Sequence, residues 1–392
     1  MHTHNVTPQA ANRSETVFVF DLDTPCLLLD EQRMNRNISR LHSRLAAKAV
    51  SFRPHLKTTK SIEIARRMIS NAHGPATVST LNEAEAFARA GITDITYAVG
   101  ISPQKISRVQ ALLRQGVSLT VLLDSMEQAE AVAAASQQDV PVPALIELDC
   151  DGHRSGVRCD DHEQLLAIAH KLNATASLLG VLTHAGESYT ATSRDCLVAA
   201  AENERASAVR AAEILRQAGL GCPVVSIGST PTALFAENYD GISEVRAGVF
   251  AFFDLVQAGL GVCSPDDIAV SVLATVIGHQ REKGWTIIDA GWAALSSDRG
   301  TESQTVDQGY GLVCDLEGNL IPGLYVINAN QEHGIIARRA CFQQSIPDLP
   351  YGTKVRILPV HACATVEQHD GYNVIGADNR TITARWARLK GW

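Results

Sequence analysis

The chain has 392 residues, 45% of them hydrophobic and 19% charged, with 28 Gly and 14 Pro; this length suits two domains, and these proportions exclude wholesale disorder, collagen-like repeats and low complexity. Thirty-four Lys and Arg against 42 Asp and Glu leave a net charge of −8, which without a basic stripe argues against nucleic-acid binding. No apolar run nears the roughly 18–20 residues of a membrane helix, and residues 1–18 lack the basic start and apolar core of a signal peptide, so neither membrane insertion nor export is expected.

In chain order, residues 1–24 form an N-terminal segment expected to join a later β domain. A barrel domain is expected over 25–265, opening with the apolar run 25–29 and a helix at about 31–49. Eight strand-like runs follow, at 50–52, 76–78, 95–97, 119–121, 144–146, 180–182, 224–227 and 244–246. Helical patterns separate them, among them 62–68, 83–90, 126–135, 162–172 and the long 196–218. Eight short β runs alternating with helices predict an α/β fold, a parallel (β/α)8 TIM-like barrel, with an open doubly wound sheet as the alternative. Beyond residue 266 the helical patterns give way to β runs at 270–277, 285–289, 324–327, 355–358 and 382–385, with Gly- and Asp-rich turns. This texture predicts a C-terminal β domain over 266–392. The nine cysteines are scattered, with no Cys-x-x-Cys pair, and read as reduced thiols of a cytoplasmic protein.

Chemistry-bearing residues gather where the barrel strands should end. Arg53-Pro54-His55-Leu56-Lys57-Thr58-Thr59-Lys60 follows the first run. Pro54 stops the strand and sets Lys57 at a strand-to-helix corner on the upper face, where barrel enzymes carry their catalytic groups. A Lys held there by burial or neighbouring cations can lose its proton and bond a carbonyl carbon. Asp149-Cys150-Asp151-Gly152-His153-Arg154 follows the fifth run and Thr183-His184-Ala185-Gly186 the sixth. Gly228-Ser229-Thr230 follows the seventh and Arg246-Ala247-Gly248 ends the eighth. Gly lets backbone N–H groups approach a phosphate closely, and hydroxyls add donors. An amine nucleophile, an Arg, a His and a phosphate cradle on one face together fit pyridoxal 5'-phosphate.

A second constellation lies in the β domain. His361 and Cys363, read as extended chain, point to the same side and can chelate one divalent metal. Zinc suits an imidazole and a thiolate best, with manganese, cobalt or magnesium as alternatives. Gln331-Glu332-His333-Gly334 offers a further ligand or acid–base pair, with His333 the candidate catalytic group.

The lysine segment Arg53-Pro54-His55-Leu56-Lys57-Thr58 resembles that of the fold type III pyridoxal phosphate enzymes, specifically the D-serine dehydratase and D-threonine aldolase family. The likeness runs from Asp23-Thr24-Pro25 to Trp392 and includes Ser79-Thr80-Leu81, 151–157, 182–186, 229–233, 244–248, Asp289-Ala290-Gly291-Trp292, 330–334 and 361–365. It implies an alanine racemase-like barrel with a β domain, assembled as a homodimer. By the same resemblance Lys57 is the Schiff-base lysine, Arg154 stands near the cofactor's 3-oxygen, His184 stacks on the pyridine ring and Tyr189 lies near the ring nitrogen. Gly228, Ser229, Thr230 and Gly248 form the phosphate cradle, and His361 with Cys363 the metal pair. Thr59 stands where many relatives have His.

The activity so implied is metal-assisted dehydration of a small D-3-hydroxy amino acid, 3-hydroxyaspartate giving oxaloacetate and ammonia, or D-serine giving pyruvate. The family's aldolases carry Asp where this chain has Cys363, which argues against aldolase. A racemase would need a second base on the opposite face, and a non-enzymatic carrier of the cofactor would lack the β domain.

Overall fold

The computed structural model describes residues 16–152, 154–175 and 177–392. His153, named above with the loop after the fifth run, lies outside them, as do residues 1–15.

The eight expected barrel strands form one parallel sheet. In spatial order they are Ser51–Phe52, Glu244–Val245, Val224–Ile227, Leu178–Thr183, Ala144–Asp149, Ser118–Leu123, Asp94–Gly100 and Ala76–Val78. This is the chain order run backwards from the first strand, as a barrel requires. The ring closes just beyond the first strand: His55 bridges Thr77 in parallel, with Leu56 N–H donating to Thr77 O at 2.8 Å and Thr77 N–H to Pro54 O at 2.8 Å. The strands are buried runs of Leu, Ile and Val, because helices cover them outside and packed side chains fill them inside. The covering helices bury one stripe each; Glu31–Ala47 turns Met34, Ile38, Leu41 and Leu45 inward at helical spacing. Most begin at a side-chain cap, including Thr80, Ser125, Asp161 and Ser193.

The second sheet is antiparallel over most of its length. Its strands Val270–Gln280, Trp285–Ile288, Gly334–Arg338, Leu320–Ala329, Leu312–Cys314 and Lys354–Leu358 return on themselves, since Val270–Gln280 pairs with both Trp285–Ile288 and Lys354–Leu358. Here the structure corrects the expected boundary at residue 25. Cys26–Asp30 pairs with Val270–Gln280 and with Gly371–Ile375, so it is a strand of this second sheet. Its central residues Leu27, Leu28 and Leu29 are buried, and an apolar run does not say which sheet will bury it. The described part of the N-terminal segment lies against the same domain: Val19 N–H bonds Arg380 O at 2.7 Å and Lys354 Nζ bonds Leu22 O at 2.6 Å. Two short helices, Trp292–Leu295 and Ala362–Glu367, interrupt a region expected to hold none.

All nine cysteines are free thiols. Among the described residues no helix is long and apolar enough to cross a membrane.

Candidate active site

A cavity of about 460 Å³ opens at the C-terminal ends of the barrel strands and is walled on its far side by the second domain. Lys57 reaches it from a tight turn. Past Pro54 the chain bonds across to the second strand, and Lys60 N–H then donates to Leu56 O at 2.8 Å. That turn buries Thr58, Thr59 and Lys60 and leaves the Lys57 side chain exposed toward the cavity. Lys60, the neighbouring amine, is engaged elsewhere: its Nζ lies 3.1 Å from Glu367 and 3.6 Å from Glu83. His55 accepts the Lys57 backbone N–H on Nδ1 at 3.3 Å. Burial, with Lys57, Arg246 and His184 nearby, holds His55 well below the usual histidine range.

Opposite Lys57 stand the loops after strands six to eight. His184 Nδ1 bonds Gly228 O at 2.8 Å. A carbonyl only accepts, so Nδ1 carries the proton. Burial, together with the cations Arg154, Lys57 and Arg246, lowers His184 to about 3, and its ring is a neutral plate. Tyr189 lies beside it, with ring centroids 6.3 Å apart. Gly228 has φ +145° and a Cβ there would sit 1.9 Å from Arg246 O, so only Gly fits. Ser229 caps the short helix Thr230–Phe235. Thr230 is buried at the cavity wall, and its Oγ1 has no hydrogen-bond partner among the described residues. A Cβ on Gly248 would crowd His55 O at 2.9 Å and Thr58 Oγ1 at 3.3 Å. Arg154 lines the same cavity from the loop after strand five, close to the buried Glu147.

The metal pair faces the lysine loop. His361 and Cys363 both line the cavity, and Thr58 Oγ1 is 3.0 Å from Cys363 Sγ. The local geometry differs from expectation. His361 is extended, but Cys363 stands in the first turn of Ala362–Glu367. The turn still brings them together, because Asp254 Oδ2 accepts Ala362 N–H at 2.9 Å and pins the helix start. His361 Nδ1 bonds Asp298 Oδ2 at 2.6 Å, which leaves Nε2 for a ligand. Burial alone would lower His361, but the bonds to Asp298 and Cys363 outweigh it and raise it to about 11. Burial likewise opposes ionisation of Cys363, yet His361, Lys57 and Thr58 bring the thiol below its ordinary value. An imidazole oriented by a carboxylate beside a thiolate-prone sulfur is a donor set for a borderline-soft divalent metal. Among the described residues no group of three or more such side chains forms.

Not every expected residue arrives. His333 is exposed at the turn before Gly334–Arg338, outside the cavity lining, so within this chain it touches none of the groups above. A turn between two strands projects to the rim of its own sheet, and short motifs do not reveal which rim faces the site. Sequence reasoning also missed Asp254 and Asp298. Asp254 carries a local signal as the cap of Leu255–Gly259, whereas Asp298 has none. Glu204 was missed as well. It is fully buried on the helix Arg194–Gln217, with Oε1 accepting Ala185 N–H and Gly228 N–H, each at 2.9 Å.

Comparison with known proteins agrees with this architecture. The family described as alanine racemase, N-terminal domain, matches residues 29–256, and a serine dehydratase domain matches 269–375. The chain is 52% identical over 375 residues to D-threo-3-hydroxyaspartate dehydratase of Delftia sp. (strain HT23), covering 95% of this chain and 98% of that protein. The solved structure of that dehydratase superposes with a TM-score of 0.91 at 50% identity, covering 96% of this chain and all of the other. Its alanine variants, solved separately, replace a histidine and a cysteine two positions further on, the latter in a metal-free form. D-serine dehydratase of Dictyostelium discoideum is 29% identical over 93% of this chain and 96% of its own. A 3-hydroxy-D-aspartate aldolase of Paracoccus denitrificans is 26% identical over 95% of this chain and 94% of its own.

Proposed function

The chain belongs to the alanine racemase-like family that joins this barrel to a serine dehydratase domain, and we propose that it is a pyridoxal phosphate- and divalent-metal-dependent dehydratase of D-3-hydroxy amino acids. The preferred substrate is D-threo-3-hydroxyaspartate, converted to oxaloacetate and ammonia, with D-serine as a smaller alternative. The observation that carries this reading is the 3.0 Å contact between Thr58, next to Lys57, and Cys363 of the metal pair. It sets an amine nucleophile and a metal site on one cavity.

The residues fit both groups. Lys57 is the cavity-facing amine free to hold the cofactor's aldehyde carbon, since Lys60 is ion-paired. Gly228, Ser229, Thr230 and Gly248 would hold the phosphate, and the Thr230 hydroxyl supplies a donor that has no acceptor among the described residues. His184 offers a neutral ring face for stacking, with Tyr189 beside it and Arg154 as the cation toward the ring oxygen. His361 Nε2 and Cys363 Sγ would hold the metal. When bound, the pyridine ring stabilises negative charge at the substrate Cα, and the metal polarises the β-hydroxyl as a Lewis acid. Lys57 Nζ takes the Cα proton. The β-hydroxyl departs as water, and a second water returns to release ammonia and the keto acid. His361 is held in place by Asp298, and Cys363 by the helix start that Asp254 pins, so both donors face Lys57 across the cavity.

A homodimer belongs to the same proposal. The exposed Trp292, whose backbone N–H bonds Asn330 O at 2.8 Å beside the turn carrying His333, offers an apolar surface for a second copy. A cytoplasmic location is consistent with nine free thiols.

The test is a product assay on D-threo-3-hydroxyaspartate, D-serine and D-threonine, each with and without chelator. The expected result is ammonia with oxaloacetate from the first, lost on chelation, and no turnover of the L-enantiomer. Glycine among the products would make it an aldolase.

A further inference from the structure

We propose that Glu204 is held in the fold as a neutral carboxylic acid, donating its proton to Thr232 and fixing through a chain of buried hydroxyls the two loops that carry His184 and the 228–230 cradle. The inference rests on the cofactor-binding reading above only in what it says about phosphate.

The argument is a count of protons. Four buried contacts run in series. Ser188 Oγ lies 2.7 Å from Ala185 O, Ser229 Oγ 3.0 Å from Ser188 Oγ, Thr232 Oγ1 3.0 Å from Ser229 Oγ, and Glu204 Oε2 2.7 Å from Thr232 Oγ1. Each hydroxyl has one proton to give. Ala185 O only accepts, so Ser188 spends its proton there. Ser229 must then donate to Ser188, and Thr232 must donate to Ser229. Nothing is left to bridge Thr232 and Glu204 except a proton on Glu204 itself. The remaining lone pairs agree: Ser229 Oγ accepts Thr232 N–H at 3.2 Å and Thr232 Oγ1 accepts Ser229 N–H at 3.1 Å. The other carboxyl oxygen, Oε1, is the one that accepts the two backbone N–H groups, of Ala185 and Gly228. A neutral acid thus satisfies every member, and an ionised one leaves a hydroxyl–hydroxyl contact with no proton in it.

The surroundings point the same way. Glu204 has no exposure to water, and burial pushes it above the usual carboxylate range against its own hydrogen bonds. Arg246 is the cation that faces it and favours the ionised form, but burial outweighs that pull, and the guanidinium's hydrogen bonds go to Ser226 Oγ and Thr183 O, each at 2.6 Å. Cys150, Tyr189 and Tyr239 also face it, each raised by burial and uncharged near neutral pH. An ionised carboxylate one peptide beneath the cradle would repel the phosphate placed there; a neutral acid holds the same loops without that charge.

Infrared difference spectroscopy of the protein near neutral pH, wild type minus Glu204→Gln, tests this. Other buried carboxyls such as Glu83 and Glu147 cancel. The expected signal is one carboxylic-acid C=O band, shifted in heavy water; carboxylate bands in its place overturn the proposal. Thr232→Val supplies a second variant should the first not fold. Removing the acceptor moves the same acid band, and an unmoved acid region overturns the proposal. Pyridoxal phosphate titration of the apoprotein reads the positioning role. Glu204→Ala weakens binding by about tenfold or more, the scale of one to two lost hydrogen bonds. Glu204→Gln rescues it to within about threefold, because its oxygen accepts both N–H groups and its NH2 donates to Thr232. A folded Gln variant that binds as poorly as Ala overturns the proposal. A wild-type apoprotein that fails to bind pyridoxal phosphate sinks the functional reading instead, and the infrared result still decides the state of Glu204.

Discussion

Two lysines three residues apart meet different fates, and the difference is chemical. Lys57 stands exposed toward the cavity, whereas Lys60 is buried between Glu83 and Glu367 with its Nζ 5.6 Å from the Trp392 ring. Lys57→Ala is therefore expected to abolish the visible absorbance of protein loaded with pyridoxal phosphate, and Lys60→Met to retain it. Loss of the band in Lys60→Met alone would reassign the amine. Histidine protonation gives a second expectation at this scale. His184 is lowered to about 3 from the ordinary 6.5, and His55 is lowered as well, both chiefly by burial. The unfolded chain then binds more protons than the fold between these values, so stability rises with pH across that window and is lost as pH falls from about 6.5 toward 3. Urea midpoints measured down this range check it. His184→Phe should flatten the profile, and an unchanged slope would contradict the neutral ring.

Among the elements, the short helix Ala362–Glu367 decides the metal site. Asp254 holds its start, Asp298 orients His361, and Glu367 at its end contacts both Lys60 and Arg388. Two carboxylates from distant stretches, with a third at the helix's own end, thus fix a six-residue element that has too few backbone hydrogen bonds to stand alone. Asp298→Asn keeps the shape but presents an amide whose orientation must reverse to accept the Nδ1 proton. Its metal affinity, read by equilibrium dialysis, should fall about 10–100-fold, as outer partners of ligating histidines usually show. Unchanged affinity would mean that Asp298 only packs.

For the molecule as a whole, the cavity is shared: the cofactor amine stands on the barrel and the metal pair on the second domain. The two functions should separate experimentally. Chelation, or His361→Ala, is expected to stop ammonia release while the cofactor absorbance persists, because the backbone bonds that set the Lys57 turn, Leu56 N–H to Thr77 O and Lys60 N–H to Leu56 O, lie on the barrel and do not involve His361. Loss of even a few kcal/mol of stabilisation at the leaving hydroxyl slows that step by orders of magnitude. Full activity in metal-free His361→Ala protein would remove the Lewis-acid role.

The same division separates what the amino-acid order determined alone from what needed three dimensions. Strand and helix periodicity is local, so all eight barrel strands, the stop at Pro54 and the Gly228-Ser229-Thr230 turn were legible from neighbouring residues. The placement of Lys57 and His184 at the cavity was legible too, because both follow barrel strands whose C-terminal ends share one face, and His361 and Cys363 were legible as a pair from their spacing in the second domain. Partnership across the chain was not. The run Cys26–Asp30 reads as any buried strand until it pairs with residues 270–273 and 373–375. Extended geometry from His361 to Cys363 was a fair local reading, overridden when Asp254, more than a hundred residues earlier, capped a helix there. His333 carried a chemical side chain to an exposed turn outside the cavity lining of its own chain. Glu204 sits among Ala, Asn and Arg on a long helix and looks like a solvent-facing residue. Only packing against the loops after strands six and seven takes it out of water, and burial is what turns an ordinary carboxyl into a clamp.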